Sequence, residues 1–357
     1  IGTRQTHIVF AIGRRKEFMF NLQLTEYDRQ VYETELRPFL PEEFIDFHVH
    51  INKKSFESQG THNGGSSWTD LVADEMTAEN LLEGFTKMFP ANKVTPLVFG
   101  GCLCNIREVN DYVRDTSRVY GYPTLYRTSY DMPQDELEER VKAGGFLGLK
   151  PYLSNCPPYL PPKEVRIYDF LPPEHLEAAN KNGWIVMLHI PRDGRLKDPV
   201  NLAQLLEIEK KYPNIKLIVA HIGRAYSKED IGNAFDLLKH TKHMYFDFTA
   251  NLCDDAIAAC IEAVGTERLI FGSDLPISIM RMYRIVENGV YYNVVPRGMY
   301  GCVSGQPHMR ETDEQHLTLM IYEQLRALKR TAQALKLTDR DVENIMCGNA
   351  KRLLAAM

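Results

Sequence analysis

The chain alternates short apolar runs of β-forming residues with stretches of helical periodicity, and this repeat is the feature that most limits its fold. Several runs are apolar on both faces, which is typical of a parallel sheet covered by helices. Such a series predicts the α/β class and, within it, a closed (β/α)8 TIM barrel. An open doubly wound sheet is less favoured, because no GxGxxG follows the first run. The eight predicted strands are 44–50, 94–100, 124–130, 146–152, 184–190, 216–222, 244–250 and 268–274.

The repeat also sets the expected domain organisation of the 357-residue chain. Residues 1–43 precede it as an N-terminal extension, and residues 44–357 form the barrel with two added C-terminal helices, at 311–335 and 338–356. Three long loops, 51–76, 151–171 and 275–310, follow predicted strands at the end where barrels build their sites. The first loop contains "SQGTHNGGSSW", which fits either a flexible lid or a solvated loop.

Composition narrows the possible partners and compartment. With 44% hydrophobic and 25% charged residues, the chain can bury a large core. The net charge of −5 leaves no basic stripe for a phosphate backbone, so nucleic acid is not an expected partner. No apolar run has the length of a membrane span. Seven scattered cysteines, an odd number, indicate reduced thiols and therefore a cytoplasmic setting.

Ionisable side chains interrupt the apolar runs at their last positions. A strand projects alternate residues to one face, so the two histidines of "HVH" point the same way. A single histidine at a strand end is ordinarily a hydrogen-bonded structural residue. Several such groups converging on one barrel rim would be costly to bury without a cation or a shared proton network. Imidazole and carboxylate suit Zn²⁺, Mn²⁺, Fe²⁺ or Co²⁺, so the set predicts a metal site. Its members are His48, His50, Lys150, His189, His221 and Asp274.

These motifs together resemble the amidohydrolase superfamily, in particular its amidohydrolase-related (type 2) branch and the aminocarboxymuconate-semialdehyde decarboxylase-like members. The resemblance covers residues 41–354 and rests on the HxH, on the histidines that end strands five and six, on "GSD" and on "GNAKRLL". It implies a distorted TIM barrel with one divalent metal at the strand C-termini, Zn²⁺ first and Mn²⁺ as the alternative; a second ion is less favoured. A homo-oligomer is also expected.

The resemblance further implies the roles of individual residues. The metal ligands would be His48, His50, His189 and Asp274 of a mononuclear site. Beside the metal, His221 would transfer a proton or orient water, and Asp274 would also accept a proton.

Four more residues are candidates for substrate binding. Lys150 has three possible roles: a carboxylated bridge between two metals, a direct contact to a substrate carboxylate, or a structural ion pair. Arg192 and Arg224 each follow a site histidine by three residues, where a planar fork can grip a carboxylate, although surface arginines are equally expected there. Tyr152, with Tyr130 and Tyr226, could wall the pocket. These residues together predict a small acidic substrate, such as a sugar acid, lactone or aromatic acid.

The leading functional hypothesis is a metal-dependent hydrolase that attacks an ester, lactone or amide through a metal-activated water. The alternative is a nonoxidative decarboxylase on the same scaffold, in which His221 or Asp274 protonates the carbanion. A third reading, a barrel that binds without turnover, is disfavoured by the complete histidine set. Neither a GxSxG elbow nor a Walker loop is present to support serine catalysis or phosphoryl transfer.

Overall fold

The computed structural model describes residues 22–56, 68–73, 75–102, 104–301, 303 and 305–357. The start of the predicted N-terminal extension and most of the predicted lid segment lie outside these residues. Each of the eight predicted strands overlaps one observed strand, which confirms the α/β class. These strands are β1 (Glu43–Ile51), β2 (Lys93–Gly100), β3 (Tyr126–Arg127), β4 (Gly148–Lys150), β5 (Ile185–Leu188), β6 (Lys216–Val219), β7 (Tyr245–Asp247) and β8 (Leu269–Ile270).

One helix precedes the first strand, and the others lie between and after the strands, as the repeat predicts; the shortest, His221–Arg224, is a single turn with positive φ at all four residues. In chain order they are α1 (Glu26–Val31), α2 (Ala78–Met88), α3 (Ile106–Tyr120), α4 (Gln134–Gly144), α5 (Pro173–Asn182), α6 (Pro199–Lys211), α7 (His221–Arg224), α8 (Ala234–Leu238), α9 (Asp254–Val264), α10 (Met320–Leu335), α11 (Asp339–Glu343) and α12 (Asn349–Ala355). A π-helical turn, Asn344–Gly348, joins α11 to α12, so residues 339–355 are nearly continuous, in line with the last predicted helix. No helix in the described ranges is long and apolar enough to cross a membrane.

The parallel strands fall into two hydrogen-bonded groups. Strands β3 to β8 form a six-stranded sheet in sequential order, and β1 pairs with β2. Parallel bridges join Val98 to Thr124 at one side of the pair and Val49 to Leu275 at the other. The pair is thus linked to the segments flanking both edges of the six-stranded sheet, an arrangement consistent with the predicted barrel.

A β-bulge in β1 determines which of its side chains face the interior. The pairing with β2 shifts register between Asp46 and Val49. Before the shift, Ile45 and Phe47 pack in an inner cluster with residues of β2, β5, β6, β8 and α12. After it, Val49 and Ile51 belong to the outer cluster beneath the helices. The bulge therefore reverses the alternation and aims the histidines inward, a use of bulges that is common beside functional sites.

The chain after β8 corrects two predictions. The segment 275–310 was expected to be a loop, but it contains β9 (Tyr283–Glu287) and β10 (Val290–Pro296), which are antiparallel. The helix expected from residue 311 begins at Met320, because Met309–Thr312 form β11 and pair with β10. We call β9, β10 and β11 the inserted sheet. Asn288 and Gly289 join β9 to β10 with φ of 51° and 76°, as a two-residue hairpin turn requires.

The described residues before β1 pack on the chain that flanks the inserted sheet. Asp28 of α1 is fully buried and accepts hydrogen bonds from both terminal nitrogens of Arg281, at 2.8 and 2.7 Å, and from the Thr318 hydroxyl at 2.7 Å. Glu35 pairs with Arg326 of α10. Arg281 precedes the inserted sheet and the other two partners follow it, so these contacts tie the extension to both sides of that sheet.

Candidate metal centre

Three of the predicted metal ligands lie together at the carboxyl ends of the strands. His48 and His50 are on β1, and Asp274 follows β8. One donor atom from each lies within 4.8 Å of the other two. The closest approach joins His50 Nε2 to Asp274 Oδ1 at 2.9 Å, and His48 Nε2 is 3.6 Å from the same oxygen. These side chains come from segments more than 220 residues apart, so the fold alone brings them together.

The backbone between β8 and β1 makes this approach possible. The Asp274 amide donates to the His48 carbonyl at 2.9 Å, and Asp274 has a positive φ of 65°. A Cβ atom at Gly272 would lie 2.5 Å from the Cβ of His48, far inside van der Waals contact. Glycine in "GSD" therefore allows the two segments to touch.

The first histidine is held by a buried carboxylate. Asp247 Oδ2 lies 2.9 Å from His48 Nδ1, and its Oδ1 accepts the backbone amides of His221 and Thr249 at 2.6 and 3.2 Å. Since the carboxylate can only accept, His48 donates from Nδ1 and its Nε2 lone pair faces Asp274. Burial, followed by the positive charge of Lys150, holds the pKa of His48 well below its usual value, so the ring is neutral. A carboxylate behind a histidine in this way is the usual support of a metal ligand.

The second histidine is oriented through a tyrosine. The Tyr152 hydroxyl lies 2.8 Å from the Gly100 carbonyl and 2.9 Å from His50 Nδ1. Because the hydroxyl donates to the carbonyl, it accepts from His50 Nδ1, which leaves the Nε2 lone pair facing Asp274. Burial pushes the pKa of Asp274 upward, but a proton that His50 Nε2 shares with Oδ1, together with the neighbouring histidines, outweighs burial and holds the pKa below its usual value.

Three acceptors thus face one another in a buried place. Two imidazole lone pairs and an ionised carboxylate repel unless a cation or a proton lies between them. Two nitrogen donors and one oxygen donor are a set that Zn²⁺ and Mn²⁺ accept. The residues present therefore fit a divalent metal ion.

Lys150, at the end of β4, lies beside this group. Its Nζ is 3.2 Å from His48 Nε2 and 4.7 Å from the centroid of the Phe99 ring. Burial lowers the pKa of Lys150 to about 8, although the charges of Asp274 and Asp247 oppose the shift. The predicted proximity to the metal site is therefore present, and the three alternative roles remain predictions.

The other two histidines form a neighbouring pair. His221 donates from Nδ1 to the Thr249 carbonyl at 2.9 Å, which leaves its Nε2 free to accept. Its ring centroid is 5.1 Å from that of His48 and 5.1 Å from that of His189. His189 is not part of the three-residue group, and its buried Nδ1 has no hydrogen-bond partner among the described residues. His189 therefore has an unused ligand atom next to the centre.

The predicted arginines have protein partners. Arg192 donates from Nε to both oxygens of Asp198, at 3.1 and 3.2 Å, and Asp198 caps α6. Arg224 donates to the backbone carbonyls of Pro191 and Arg192, at 3.0 and 3.3 Å. In this structure both brace the loop after β5, and their contact with a substrate remains a prediction.

The predicted tyrosines differ in their proximity to the site. Tyr152 joins it through His50, and the ring centroid of Tyr226 lies 6.4 Å from that of His221. In the part of the chain that the structure describes, Tyr130 makes no ring contact with these residues.

Two carboxylates of the site were missed by the sequence reasoning. Asp247 ends β7, and its position in the apolar run "YFDF" is the same kind of signal that identified Asp274. Asp46, within "FIDF", accepts the Ser273 amide at 2.8 Å and the His48 amide at 3.3 Å. Burial raises the pKa of Asp46 to about 7. Both were readable as acidic residues in strands that are otherwise apolar.

Comparisons with known proteins identify the family of this chain. The family model described as Amidohydrolase matches residues 45–355, most of the chain. The chain therefore belongs to the amidohydrolase family, which confirms the resemblance to the type 2 branch. No curated protein matches the sequence.

Several solved structures share the fold at low sequence identity. A probable 2-pyrone-4,6-dicarboxylic acid hydrolase from Acinetobacter baumannii, with citric acid bound, aligns with a TM-score of 0.56 at 15% identity over 87% of this chain and 99% of that one. A dihydroxybenzoic acid decarboxylase from Polaromonas sp. JS666, with manganese and 2-nitroresorcinol, gives 0.53 at 14% over 88% and 97%. An amidohydrolase from Burkholderia multivorans with bound zinc gives 0.57 at 12% over 87% and 99%.

Proposed function

We propose that this protein is a metal-dependent hydrolase that cleaves an ester, lactone or amide bond of a small carboxylate-bearing substrate. The observation that carries the proposal is the convergence of His48 Nε2, His50 Nε2 and Asp274 Oδ1, with both histidine tautomers fixed from behind by Asp247 and Tyr152. The parallel bridges at Val49 and Val98 support a closed eight-stranded barrel around this group.

The metal would be one divalent ion, Zn²⁺ or Mn²⁺, both of which occur in proteins of the same fold. His48, His50 and Asp274 would hold it, with His189 as a fourth ligand because its buried Nδ1 is unpaired. Such an ion, when bound, polarises a carbonyl and lowers the pKa of water toward neutrality.

The proton transfers are assigned to His221 and Asp274. The hydrogen bond from His221 Nδ1 to the Thr249 carbonyl fixes the ring, whose centroid lies 5.1 Å from those of His48 and His189. Asp274 is ionised at neutral pH, because a proton shared with His50 Nε2 and the nearby histidines hold its pKa below the usual range in spite of burial. A fixed imidazole and an ionised carboxylate can take a proton from water and return one to a leaving group.

Decarboxylation is the second candidate, and the position of Phe99 favours it. The Phe99 ring stands edge-on to the rings of His48 and His50, with centroids 5.1 and 4.8 Å apart. An apolar wall destabilises a carboxylate relative to neutral CO₂, which promotes loss of the carboxyl group. His221 or Asp274 would then supply the proton to the carbanion.

The product separates the two reactions. Protein loaded with Zn²⁺ or Mn²⁺ would be incubated in H₂¹⁸O with a panel of lactones, esters and aromatic acids. Mass spectrometry would then measure the mass of each product. Hydrolysis adds ¹⁸O to the new carboxyl group, whereas decarboxylation adds only a solvent proton. His221→Asn is expected to lower either rate by about 100-fold or more while metal content is retained. Protein that binds no divalent ion would contradict both reactions.

A further inference from the structure

The inserted sheet brings two arginines and two tyrosines together beside the candidate metal centre. The guanidinium carbon of Arg284, on β9, lies 4.9 Å from the ring centroids of both Tyr226 and Tyr291. Arg195, from the loop after β5, lies 4.7 Å from the Tyr291 ring and 5.7 Å from the Tyr226 ring. Because the Tyr226 ring is itself 6.4 Å from that of His221, this cluster adjoins the site.

The described residues do not balance the positive charge of the cluster. Arg195 donates to Asp230 at 2.6 Å, so one guanidinium has a carboxylate partner. Arg284 donates to two neutral acceptors, Asn293 Oδ1 at 2.9 Å and the Ala250 carbonyl at 3.1 Å. Within the described ranges, no aspartate or glutamate oxygen lies within 4.0 Å of Arg284, although burial lowers its pKa. Since arginine stays protonated in proteins, one positive charge remains unmatched.

A donor in the same cluster has no acceptor. Arg195 Nε is buried and lacks a hydrogen-bond partner among the described residues. Its terminal nitrogen faces His308 Nε2 at 3.4 Å, and His308 donates from Nδ1 to the Tyr291 carbonyl at 2.8 Å. A buried donor without an acceptor is costly and rare in folded proteins. The cluster therefore lacks both a negative charge and a hydrogen-bond acceptor.

We propose that Arg284 and Arg195 form a carboxylate-binding subsite that anchors the acidic end of the substrate beside Tyr226 and Tyr291. This assignment rests on the proposed function, since it places the far end of the substrate of the same site. A carboxylate supplies the missing charge and the missing acceptor, and guanidinium groups bind it through paired N–H donors. The rings of Tyr226 and Tyr291 pack edge to face with centroids 5.0 Å apart and hold the two guanidinium groups in place.

The first test measures binding of isophthalate to the full chain by calorimetry, with its neutral diamide as the control ligand. Arg284→Gln is expected to weaken isophthalate about 10- to 100-fold, as the loss of a charged hydrogen bond does. Arg310→Gln is the matched control variant, because Arg310 also lies on the inserted sheet and over a tyrosine ring, but pairs with Glu287. It is expected to bind within twofold of the wild type.

A second variant covers the case in which Arg284→Gln folds poorly. Asn293→Asp places a carboxylate at the atom that already accepts from Arg284 Nε, so it supplies the counter-charge from within the protein. We expect a melting temperature no lower than that of the wild type and isophthalate binding weakened about tenfold. Unchanged binding in this folded variant would contradict the subsite.

The remaining outcomes are also decisive. The subsite is rejected if the wild type does not bind isophthalate, if it binds inorganic phosphate instead, or if Arg284→Gln and Arg310→Gln behave alike. Measuring both metal-free and Zn²⁺-loaded protein separates this proposal from the hydrolase. Binding that depends on Arg284 in a protein that takes up no metal would retain the subsite and remove the proposed function. If the protein takes up metal but binds isophthalate independently of Arg284, the subsite is rejected and the proposed function is retained.

Discussion

The metal centre has an excess of hydrogen-bond acceptors, whereas the arginine cluster beside the inserted sheet has an excess of donors and of positive charge. At the strand ends, His48, His50 and Asp274 direct lone pairs at one another, and the tautomers that make them acceptors are fixed from behind. Beside the inserted sheet, Arg284 and Arg195 present donors, and Arg284 has no carboxylate partner among the described residues. Folded proteins pair buried polar groups wherever they can. A cation at the first region, in place of the proton that Lys150 donates to His48 Nε2, and an anion at the second would supply the missing partners.

The largest expected effect follows removal of the carboxylate from the metal centre. Asp274→Ala deletes the one anionic donor facing the two histidines. Affinity for Zn²⁺ or Mn²⁺ is expected to fall by more than the roughly 10- to 100-fold that loss of a supporting residue costs. Metal content of the purified protein and competition with a chelator measure this effect. Asp236→Ala removes an exposed carboxylate of α8 and should leave metal binding as in the wild type, so equal loss in both variants would contradict the site.

The two regions also differ in how far the sequence predicts them. The positions of His48, His50 and Asp274 were readable because each interrupts an apolar run, and parallel strands place their carboxyl ends together. Asp247 carried the same signal and was overlooked. The bulge in β1 was not readable, since alternation alone does not reveal a change of register.

The inserted sheet was harder to predict for physical reasons. Its turn, Asn288–Gly289, was a readable hairpin signal, but the pairing of β10 with β11 joins segments whose register the sequence does not fix. Arg284, on β9, meets Tyr226 because the inserted sheet packs against the loop after β6. The spacing of Arg192 and Arg224 from site histidines predicts a place at the rim, but spacing cannot show which carboxylate or carbonyl a long side chain will contact.

The buried ion pair of Asp28 and Arg281 is a useful contrast with Arg284, which has no carboxylate partner among the described residues. Asp28 is fully buried and holds Arg281 at 2.8 and 2.7 Å, so each charge has its partner within the chain. Arg281→Gln would leave this carboxylate buried and without its ion pair. We expect the free energy of unfolding, measured by urea titration, to fall by about 3–5 kcal/mol. Arg297→Gln removes an exposed arginine that pairs with Asp313 and should change the free energy of unfolding far less than Arg281→Gln does. A similar small loss in both variants would show that the buried pair is not stabilising.

The support behind His48 is the next test. Asp247→Asn keeps Oδ1 as an acceptor for the amides of His221 and Thr249, but an amide nitrogen facing His48 Nδ1 would donate to it. That contact favours the other tautomer, whose Nε2 carries a proton and cannot bind metal. Metal affinity is expected to fall about 10- to 100-fold with little change in circular dichroism. Unchanged metal affinity in this variant would show that Asp247 does not support His48 as a metal ligand.

Lys150 should make the metal affinity of the centre depend on pH. Its Nζ lies 3.2 Å from His48 Nε2, and burial lowers the pKa of Lys150 to about 8. Below that pH the ammonium group repels a cation and donates to the ligand nitrogen, so metal uptake must displace a proton. Burial keeps the pKa values of His48 and His50 below their usual value, so neither histidine titrates in this window.

Apparent Mn²⁺ affinity should therefore rise by up to about tenfold per pH unit as the pH rises toward 8, and then level off. Chelator competition between about pH 6.5 and 9 measures the slope. Lys150→Met should remove it, whereas Lys93→Gln, an exposed lysine paired with Glu43, should keep it. A slope that persists in Lys150→Met would assign the released proton to another group.

The smallest expected effect concerns the stability of the inserted sheet without ligand. Arg284 has no carboxylate to lose, so Arg284→Gln should change the free energy of unfolding by less than about 1 kcal/mol, in contrast to Arg281→Gln. Isophthalate at 100 times its Kd should stabilise the wild type by about 2.7 kcal/mol, because it binds only the folded state, and the variant by much less. Urea unfolding with and without isophthalate measures both the effect of the substitution on stability and the stabilisation by the ligand. A loss of several kcal/mol in the ligand-free variant would mean that Arg284 is balanced by the protein itself, and the distinction between the two arginines would disappear.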